Sequence, residues 1–548
     1  MLKRLQPVML KRLQPVATWT AKQVVLPAVI YFVIFALLTF PTLERFSTHF
    51  FSGPGDGMQN VWNLWWVNRA LTELHQSPWQ SSYLHSPLGV SLVAHTLNSF
   101  NGFLGTFLQQ MLSLVQTFNT IIVFAFVAGG VTTFHLCRWL IHAWFPSLVG
   151  GFVFTFSNFH FAHAQGHLQL TSLEWIPLFV LSWLWLDHRP TVLRGVSSAG
   201  ALVAVFLCDY YYFFYCVLFG AALVCWRLWR TGSFAYVLER DRLRAWAAFS
   251  TVVGAITLPF VVSLVSLNAN DPLHGVHEPR IYSLDLLALL IPGGHWRFNA
   301  LTHPYWSRLP GNIHESSVHL GFAVCGLITY LAIVRKRVEL PRRGFWFATL
   351  ALFAILALGP RLHVLGLEVP YIPLPYTLME IFLPPLRLSG CPVRMVVMVT
   401  LVAAVLTAVA IHTLWRSGRR QRYFAATALA LMVVEFLPTP IPTTRLPVPG
   451  YVRFLAQLPS EDTVVDSVSR GGPALYFQTI HQKPLATGYV SRLPASLHRR
   501  EQQIVDAIEK RDLQRLRDLK IRYAVFRSGP RAEIIDLQSN AVIFPARN

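Results

Sequence analysis

The 548-residue chain reads as an all-α, polytopic membrane protein carrying a small α/β domain at its C-terminal end, and three observations predict this. Hydrophobic residues make up 53 % of it and charged residues only 13 %, about half the charge of an ordinary soluble domain. The apolar residues fall in uncharged runs of 21 residues over 23–43, 26 over 245–270 and 21 over 395–415. About 20 such residues are what a helix needs to cross a ~30 Å hydrocarbon core. The 46 Lys and Arg, against 26 Asp and Glu, gather in short clusters beside those runs. The first two observations exclude a soluble enzyme and a disordered chain. The third excludes a nucleic-acid partner, because charge so placed sets topology.

Lys3, Arg4, Lys11, Arg12 and Lys22 precede the first span and put a segment 1–23 in the cytoplasm. The octapeptide Met1 to Val8 recurs as Met9 to Val16, which reads as a second start site, not a fold repeat. No small-residue cleavage site follows the first run, so it is expected to stay as an anchor. Arg138, Arg189 and Arg194, the Arg227 to Arg244 group, Arg335 to Arg343 and Arg416 to Arg422 are likewise assigned to the cytoplasmic side. The path then crosses about eleven times, through 24–41, 120–137, 145–162, 170–186, 195–208, 211–226, 246–267, 317–334, 345–360, 394–415 and 423–439. The apolar stretch 97–118 is read as re-entrant or interfacial. A full crossing there would invert every later basic cluster, and its Asn98, Asn101, Gly102, Gly105, Gln109 and Gln110 do not suit lipid.

This topology makes 24–440 a transmembrane domain at the plasma membrane, with outer loops 42–96, 268–316 and 361–393. Pro438, Pro440, Pro442, Pro447 and Pro449 form a stiff connector into an extracytoplasmic domain over 441–548. There the pattern changes to strand-like runs at 463–468 and 521–526 and an amphipathic helical stretch at 500–519. The six Cys show neither metal-ligand nor disulfide spacing, and the pairs Gly129–Gly130 and Gly150–Gly151 read as close helix packing.

The most informative stretch follows the first span: Gly53, Pro54, Gly55, Asp56 and Gly57, then Gln59, Trp62, Trp65 and Trp66. By itself Asp56 could cap the helix that follows, and the tryptophans could be an interfacial belt. The pattern Asp56, Gln59, Trp62, Trp65 nevertheless resembles the GT-C superfamily of integral-membrane glycosyltransferases, and more closely the bacterial YfhO-type membrane proteins. The resemblance continues through Ser86 to Gly89, Gly166 to Leu170 with Glu174 to Leu178, Tyr282 to Leu287, Leu386 to Arg394 and Tyr476 to Leu485. It implies a GT-C fold and sugar transfer from a polyprenyl-phosphate donor to a glycan, lipid or protein acceptor, with inversion at the anomeric carbon. It also implies an acidic residue in the first outer loop, here Asp56, acting as general base or metal ligand. Some GT-C branches place two adjacent acids there; here only Asp56 is central. Chemically, such a transfer needs a carboxylate to take the acceptor proton or hold a metal, and cations to stabilise the departing phosphate.

The remaining site residues have plain alternatives. His160, His163 and His167 share a helical face, either as interfacial polar residues or, with Asp56, as ligands of a divalent cation (Mg or Mn). His167 and Glu174 are expected to line the cavity together with Gln59. Arg387 and Arg394, and more weakly Arg297 beside His295, are placed as phosphate-binding arginines, the alternative being snorkelling anchors. Asp209 is read as a hairpin tip or second cavity carboxylate, Asp285 and Glu315 as structural, and His481, Lys483, Tyr489 and Arg492 as domain surface or acceptor contacts. A transporter or flippase of lipid-linked saccharides is the rival reading, and a non-catalytic envelope assembly protein the third. The one-sided distribution of polar residues and the lack of half-to-half symmetry count against transport.

Overall fold

The computed structural model describes residues 19–275, 277–334, 340–382, 390–458, 462–529 and 531–544. The expectations placed on Lys3, Arg4, Lys11, Arg12, Arg335, Lys336, Arg337 and Arg387 lie outside the described residues.

The chain enters through α1 (Leu26–Leu38). The first outer loop folds as α2 (Asp56–Thr72), a two-residue antiparallel ladder of Gln80–Ser81 with Val90–Ser91, and α3 (Ser99–Leu108). Next come α4 (Leu114–Ile141), α5 (Trp144–Thr155), α6 (Asn158–Ala164), α7 (Trp175–His188), α8 (Val192–Cys208), α9 (Tyr210–Thr231) and α10 (Arg240–Asn270). A long loop leads through the single turn Ile313–Ser316 to α11 (Gly321–Ile333) and α12 (Arg343–Ala357). After a hairpin and α13 (Pro375–Phe382) follow α14 (Val396–Ser417) and α15 (Arg419–Glu435). The tail contains α16 (Gly450–Gln457), β1 (Val464–Asp466), α17 (Gly472–His481), α18 (Ala495–Glu509), α19 (Leu513–Asp518), β2 (Tyr523–Ser528), β3 (Arg531–Asp536) and β4 (Ala541–Phe544).

Among the described residues six helical stretches are long and apolar enough to cross a membrane: Ala21–Leu38, Leu114–Ile141, Tyr210–Thr231, Arg240–Asn270, Ile313–Ile333 and Pro392–Ser417. The other five expected crossings coincide with α5, α7, α8, α12 and α15, whose 12, 14, 17, 15 and 17 residues reach only ~18–26 Å. The run expected over 145–162 is two helices, because Ser157 ends the first and its hydroxyl caps the second at His160 N. The stretch 97–118 likewise splits. α3 covers ten residues, and Ser113 opens α4 with a reciprocal capping box to Gln116.

α14 is the axis of the bundle, buried along nearly its whole length and packed against α5, α11, α12 and α15. α10, which also reads as long and apolar enough to cross a membrane, is mostly exposed, with Val261, Val262 and Val265 at the surface. Side chains that face lipid and side chains that face the bundle have the same composition, so hydropathy does not separate them. The glycine pairs sit where backbones meet. A Cβ on Gly130 would lie 2.6 Å from the Tyr31 ring, and one on Gly151 would lie 2.6 Å from the Gly130 carbonyl oxygen. Tyr31 fills that three-helix junction and donates to Leu148 O at 3.0 Å.

In the tail, β4, β3, β2 and β1 form one mixed sheet, antiparallel except for β1 beside β2, where Val464 pairs with Tyr523 and Asp466 with Val525. Both faces are covered. Val464, Tyr523, Val525 and Ile534 join Trp62, Trp66, Tyr451 and Leu475, while Val465, Ala524, Phe526 and Ile535 pack on Ile504, Ala507 and Leu516. The first outer loop and the tail therefore share one core. This corrects the belt reading of the tryptophans: Trp62 and Trp66 are fully buried and stacked at 5.7 Å. Their N–H groups donate to Gln478 Oε1 at 2.7 Å and Pro78 O at 2.9 Å. A buried indole needs such an acceptor, and tertiary packing supplies it away from the lipid interface.

Candidate active site at the outer loops

Asp56 is the first residue of α2, with Gly55 in the capping position and no side-chain capping bond, so the capping alternative is not realised. Its loop is hooked onto the α6 turn. Gly53 N donates to Gln165 O at 2.7 Å, and Asn60 Nδ2 donates to Gly166 O at 2.8 Å and Asp56 O at 2.9 Å. Gly57 is required because a Cβ there would run into Ser52. The helix start favours a negative charge at this position. With its side chain 57 % exposed, Asp56 presents its carboxylate to solvent while Oδ2 accepts from His167 Nε2 at 3.1 Å. That hydrogen bond holds Asp56 below its ordinary carboxylate value; burial opposes it, and the charges of the His167, His314 and His277 rings add to the lowering.

Behind Asp56 lies a buried relay. His167 Nδ1 meets His163 Nδ1 at 3.1 Å, and His163 Nε2 stands 3.8 Å from Glu315 Oε2. Glu315 Oε1 accepts from Arg394 Nε at 3.0 Å, and the Arg394 guanidinium lies 4.9 Å from the Tyr211 ring centroid. Each member is delivered by a defined element. α6 and the turn after it carry the histidines. Asn312 caps the turn that carries Glu315, and the 3₁₀ turn Pro392–Met395 carries Arg394 into α14. With His167 Nε2 donating to Asp56, its Nδ1 accepts from His163, which leaves His163 Nε2 a lone pair aimed at a carboxylate. His163 Nε2 and Glu315 Oε2 are both buried without a hydrogen-bond partner among the described residues. Two acceptors facing each other are a place for a cation. One ligand atom each from His163, His167 and Glu315 lie within 4.8 Å of one another. This mixed N/O set suits Mn better than Mg, which prefers oxygen ligands.

The structure sorts the expected residues. Asp56, His163, His167 and Arg394 converge. His160 is turned away, bonded to the carbonyls of Thr155 and Thr171 and stacked on Phe126 at 3.8 Å. Gln59 Nε2 bonds Thr96 Oγ1 at 3.0 Å and His95 Nε2 at 3.3 Å, pinning α2 to its own loop. Glu174 is buried with both oxygens unpartnered among the described residues and bonds no member of the relay. Arg297 is exposed and donates to Pro438 O at 2.9 Å. Arg394 is corrected: buried and held by Glu315, it is not offered to a lipid phosphate. Asp209 caps α9 through Tyr211 N and Tyr212 N, at 2.8 and 3.1 Å. Asp285 accepts from Tyr305, Leu287 N and Gly366 N.

Sequence reasoning set aside Glu315 and overlooked His277 and His314. The legible signal was Asn312, a capping residue that fixes the orientation of His314 and Glu315. His295 Nε2 meets His314 Nδ1 at 3.1 Å and links back to Gln165 at 2.9 Å. The tail roofs the site. A Cβ on Gly472 would collide with the Gly55 carbonyl, and Ser491 bonds His95 and Thr96. Burial and then the Asp56 charge raise the Tyr489 hydroxyl, which is partly exposed beside the carboxylate. His481 and Lys483 are occupied internally, and Arg492 donates to Gly275 O at 2.6 Å.

Among solved structures, the mycobacterial arabinofuranosyltransferase AftD superposes with a TM-score of 0.56 over 92 % of this chain and 36 % of its own, at 13 % identity. This chain thus spans about a third of that protein's length. AglB from Archaeoglobus fulgidus, in complex with an inhibitory peptide and a dolichol-phosphate, gives 0.46 at 12 % identity over 91 % of this chain and 69 % of that one. ArnT from Cupriavidus metallidurans, bound to undecaprenyl phosphate, gives 0.41 at 11 % identity over 95 % and 99 %. Of these three only the first is near enough to define the fold, and the fold is that of the GT-C glycosyltransferases. At this identity the likeness shows the fold alone, and it does not reach the YfhO-type branch. The chain belongs to the family described as a domain of unknown function, DUF6311, which matches residues 24–436. No curated protein matches it.

Proposed function

We propose that this protein is a membrane glycosyltransferase that moves a sugar from a polyprenyl-phosphate donor to an extracytoplasmic glycan, lipid or protein acceptor. The observation that carries the reading is the Asp56 carboxylate, exposed at one end of a GT-C fold and tied to a buried His–His–Glu–Arg relay. Asp56 accepts the proton of the acceptor hydroxyl as that oxygen bonds the anomeric carbon. The carbon–phosphate oxygen bond breaks and the lipid phosphate leaves with the electron pair. His167 orients Asp56 and keeps it ionised. A divalent cation, if part of the site, would be held by His163, His167 and Glu315, the His163–His167 hydrogen bond giving way to it, and would supply positive charge behind Asp56. Tyr489 offers an aromatic surface for the acceptor.

With this reading go eleven crossings, a cytoplasmic N-terminus and an extracytoplasmic tail. The first outer loop, the 268–316 loop and the tail meet through the bridges Phe50–Thr444 and Trp296–Pro438, which supports a common side. Cysteine labelling at Ser77 and Arg527 from outside the cell checks it. The activity itself is tested by Asp56→Asn in membranes, assayed with a polyprenyl-phosphate sugar. Transfer should fall about 10²–10⁴-fold with normal expression, and unchanged transfer refutes the role.

A further inference from the structure

α4 begins near the Asp56 end, where Asn119 Oδ1 accepts from Phe51 N at 2.9 Å. Trp139, twenty residues further on, lies ~30 Å away along the helix. At that opposite end is a cavity of about 390 Å³ whose lining includes Trp139, His142, His188, Arg342, Phe345 and Trp346. Among the described residues no acidic side chain lines it. Its volume falls within the ~300–1,000 Å³ typical of ligand pockets.

We propose that this cavity binds the anionic phosphate headgroup of a membrane lipid from the leaflet at the arginine-rich end, independently of the chemistry proposed at Asp56. The charge around it is unbalanced. One buried carboxylate, Asp187 on α7, pairs with Arg242 at 3.5 Å, Arg227 at 3.4 Å and Arg342, and accepts from Tyr236 Oη at 2.6 Å. Glu239 adds one more acid, held by Arg242 at 3.2 Å. Among the described residues three guanidinium groups thus face two carboxylates, and of the three it is Arg342 that reaches the cavity wall. His142 and His188 add nitrogen donors, and Arg138 lies one turn before His142 on α4. A guanidinium with imidazoles suits phosphate oxygens. The other walls are indole, phenyl and leucine side chains, Trp139 meeting His188 edge-on at 6.4 Å. Free phosphate gains nothing from such walls, whereas the glycerol and first methylenes of a lipid do. A basic pocket between membrane helices beside an anionic leaflet has the polarity such headgroups seek.

The test uses the full chain in detergent, delipidated and followed by native mass spectrometry during titration with phosphatidylglycerol, phosphatidylcholine or inorganic phosphate. One phosphatidylglycerol should bind at least 10-fold more tightly than phosphatidylcholine and resist displacement by millimolar inorganic phosphate. Leu184→Trp, which fills the cavity without removing an arginine, and His188→Ala should each weaken retention at least 10-fold. Arg342→Gln should do the same; because Arg342 also pairs with Asp187, the first two variants decide the matter if this one does not fold. Equal binding of phosphatidylcholine, displacement by phosphate at equal concentration, or unaltered retention in Leu184→Trp and His188→Ala would each overturn the proposal.

Discussion

The two ends of the bundle use the same materials to opposite effect. At the arginine-rich end the carboxylate of Asp187 is buried, paired with three arginines and hydrogen-bonded to Tyr236. At the opposite end Asp56 is largely exposed and held by one histidine. Behind it, His163 and Glu315 face each other without a hydrogen bond between them. A buried carboxylate paired with several arginines secures helices, because removing it strands charges in a low-dielectric interior. A carboxylate left open, with unpaired acceptors behind it, is arranged for something else to bind or move. The contrast teaches that charge count does not mark a site; a carboxylate left exposed, with no arginine to neutralise it, does.

Mutation can break or sharpen this contrast. Asp56→Asn should abolish most sugar transfer, by about 10²–10⁴-fold, while leaving the thermal midpoint of the detergent-solubilised protein unchanged. Asp187→Ala should do the reverse. Stranding Arg227, Arg242 and Arg342 should cost about 3–5 kcal/mol, read as a large fall in thermal midpoint or loss of folded protein, with no change in the residual transfer per folded molecule. His167→Ala removes the donor that lowers Asp56, so transfer should drop roughly 10–100-fold. The sign of its pH effect follows. In the parent, Asp56 stays ionised down to below the ordinary carboxylate value near ~4, and without His167 it protonates at higher pH. The acid limb of the transfer profile should therefore move upward, and an unmoved limb would contradict Asp56 as the group observed. Tyr236→Phe deletes one hydrogen bond to the Asp187 carboxylate and should cost about 1.5–3 kcal/mol of stability, with transfer intact.

Much of this was legible in the residues. The long apolar runs appear as helices, and 97–118 breaks where Asn98 and Ser113 offer caps, side-chain chemistry that acts over three residues. The glycine pairs do mark close packing, because only glycine admits the Tyr31 ring. The spacing of His163 and His167 also survives, since one helical turn brings them together. The spacing could not show that His160, on the same face, is consumed by the carbonyls of Thr155 and Thr171. Nor could it show that Glu315, some 150 residues away, completes the relay with Arg394. Trp62 and Trp66 misled for a related reason: an indole suits a membrane interface and a buried core equally well, and Gln478, more than 400 residues later, decides between them.

What the sequence by itself determined was where the chain is too apolar for water, where it turns, and which loop carries an acid among glycines, because each depends on neighbours within a few residues. Tertiary structure alone decided which apolar helix, α14 or α10, is the core and which meets lipid, and which polar side chains become partners. Burial and hydrogen bonding are properties of surfaces brought together in space. Hydropathy gives α10 and α14 the same reading, and only packing makes one a surface and the other an axis.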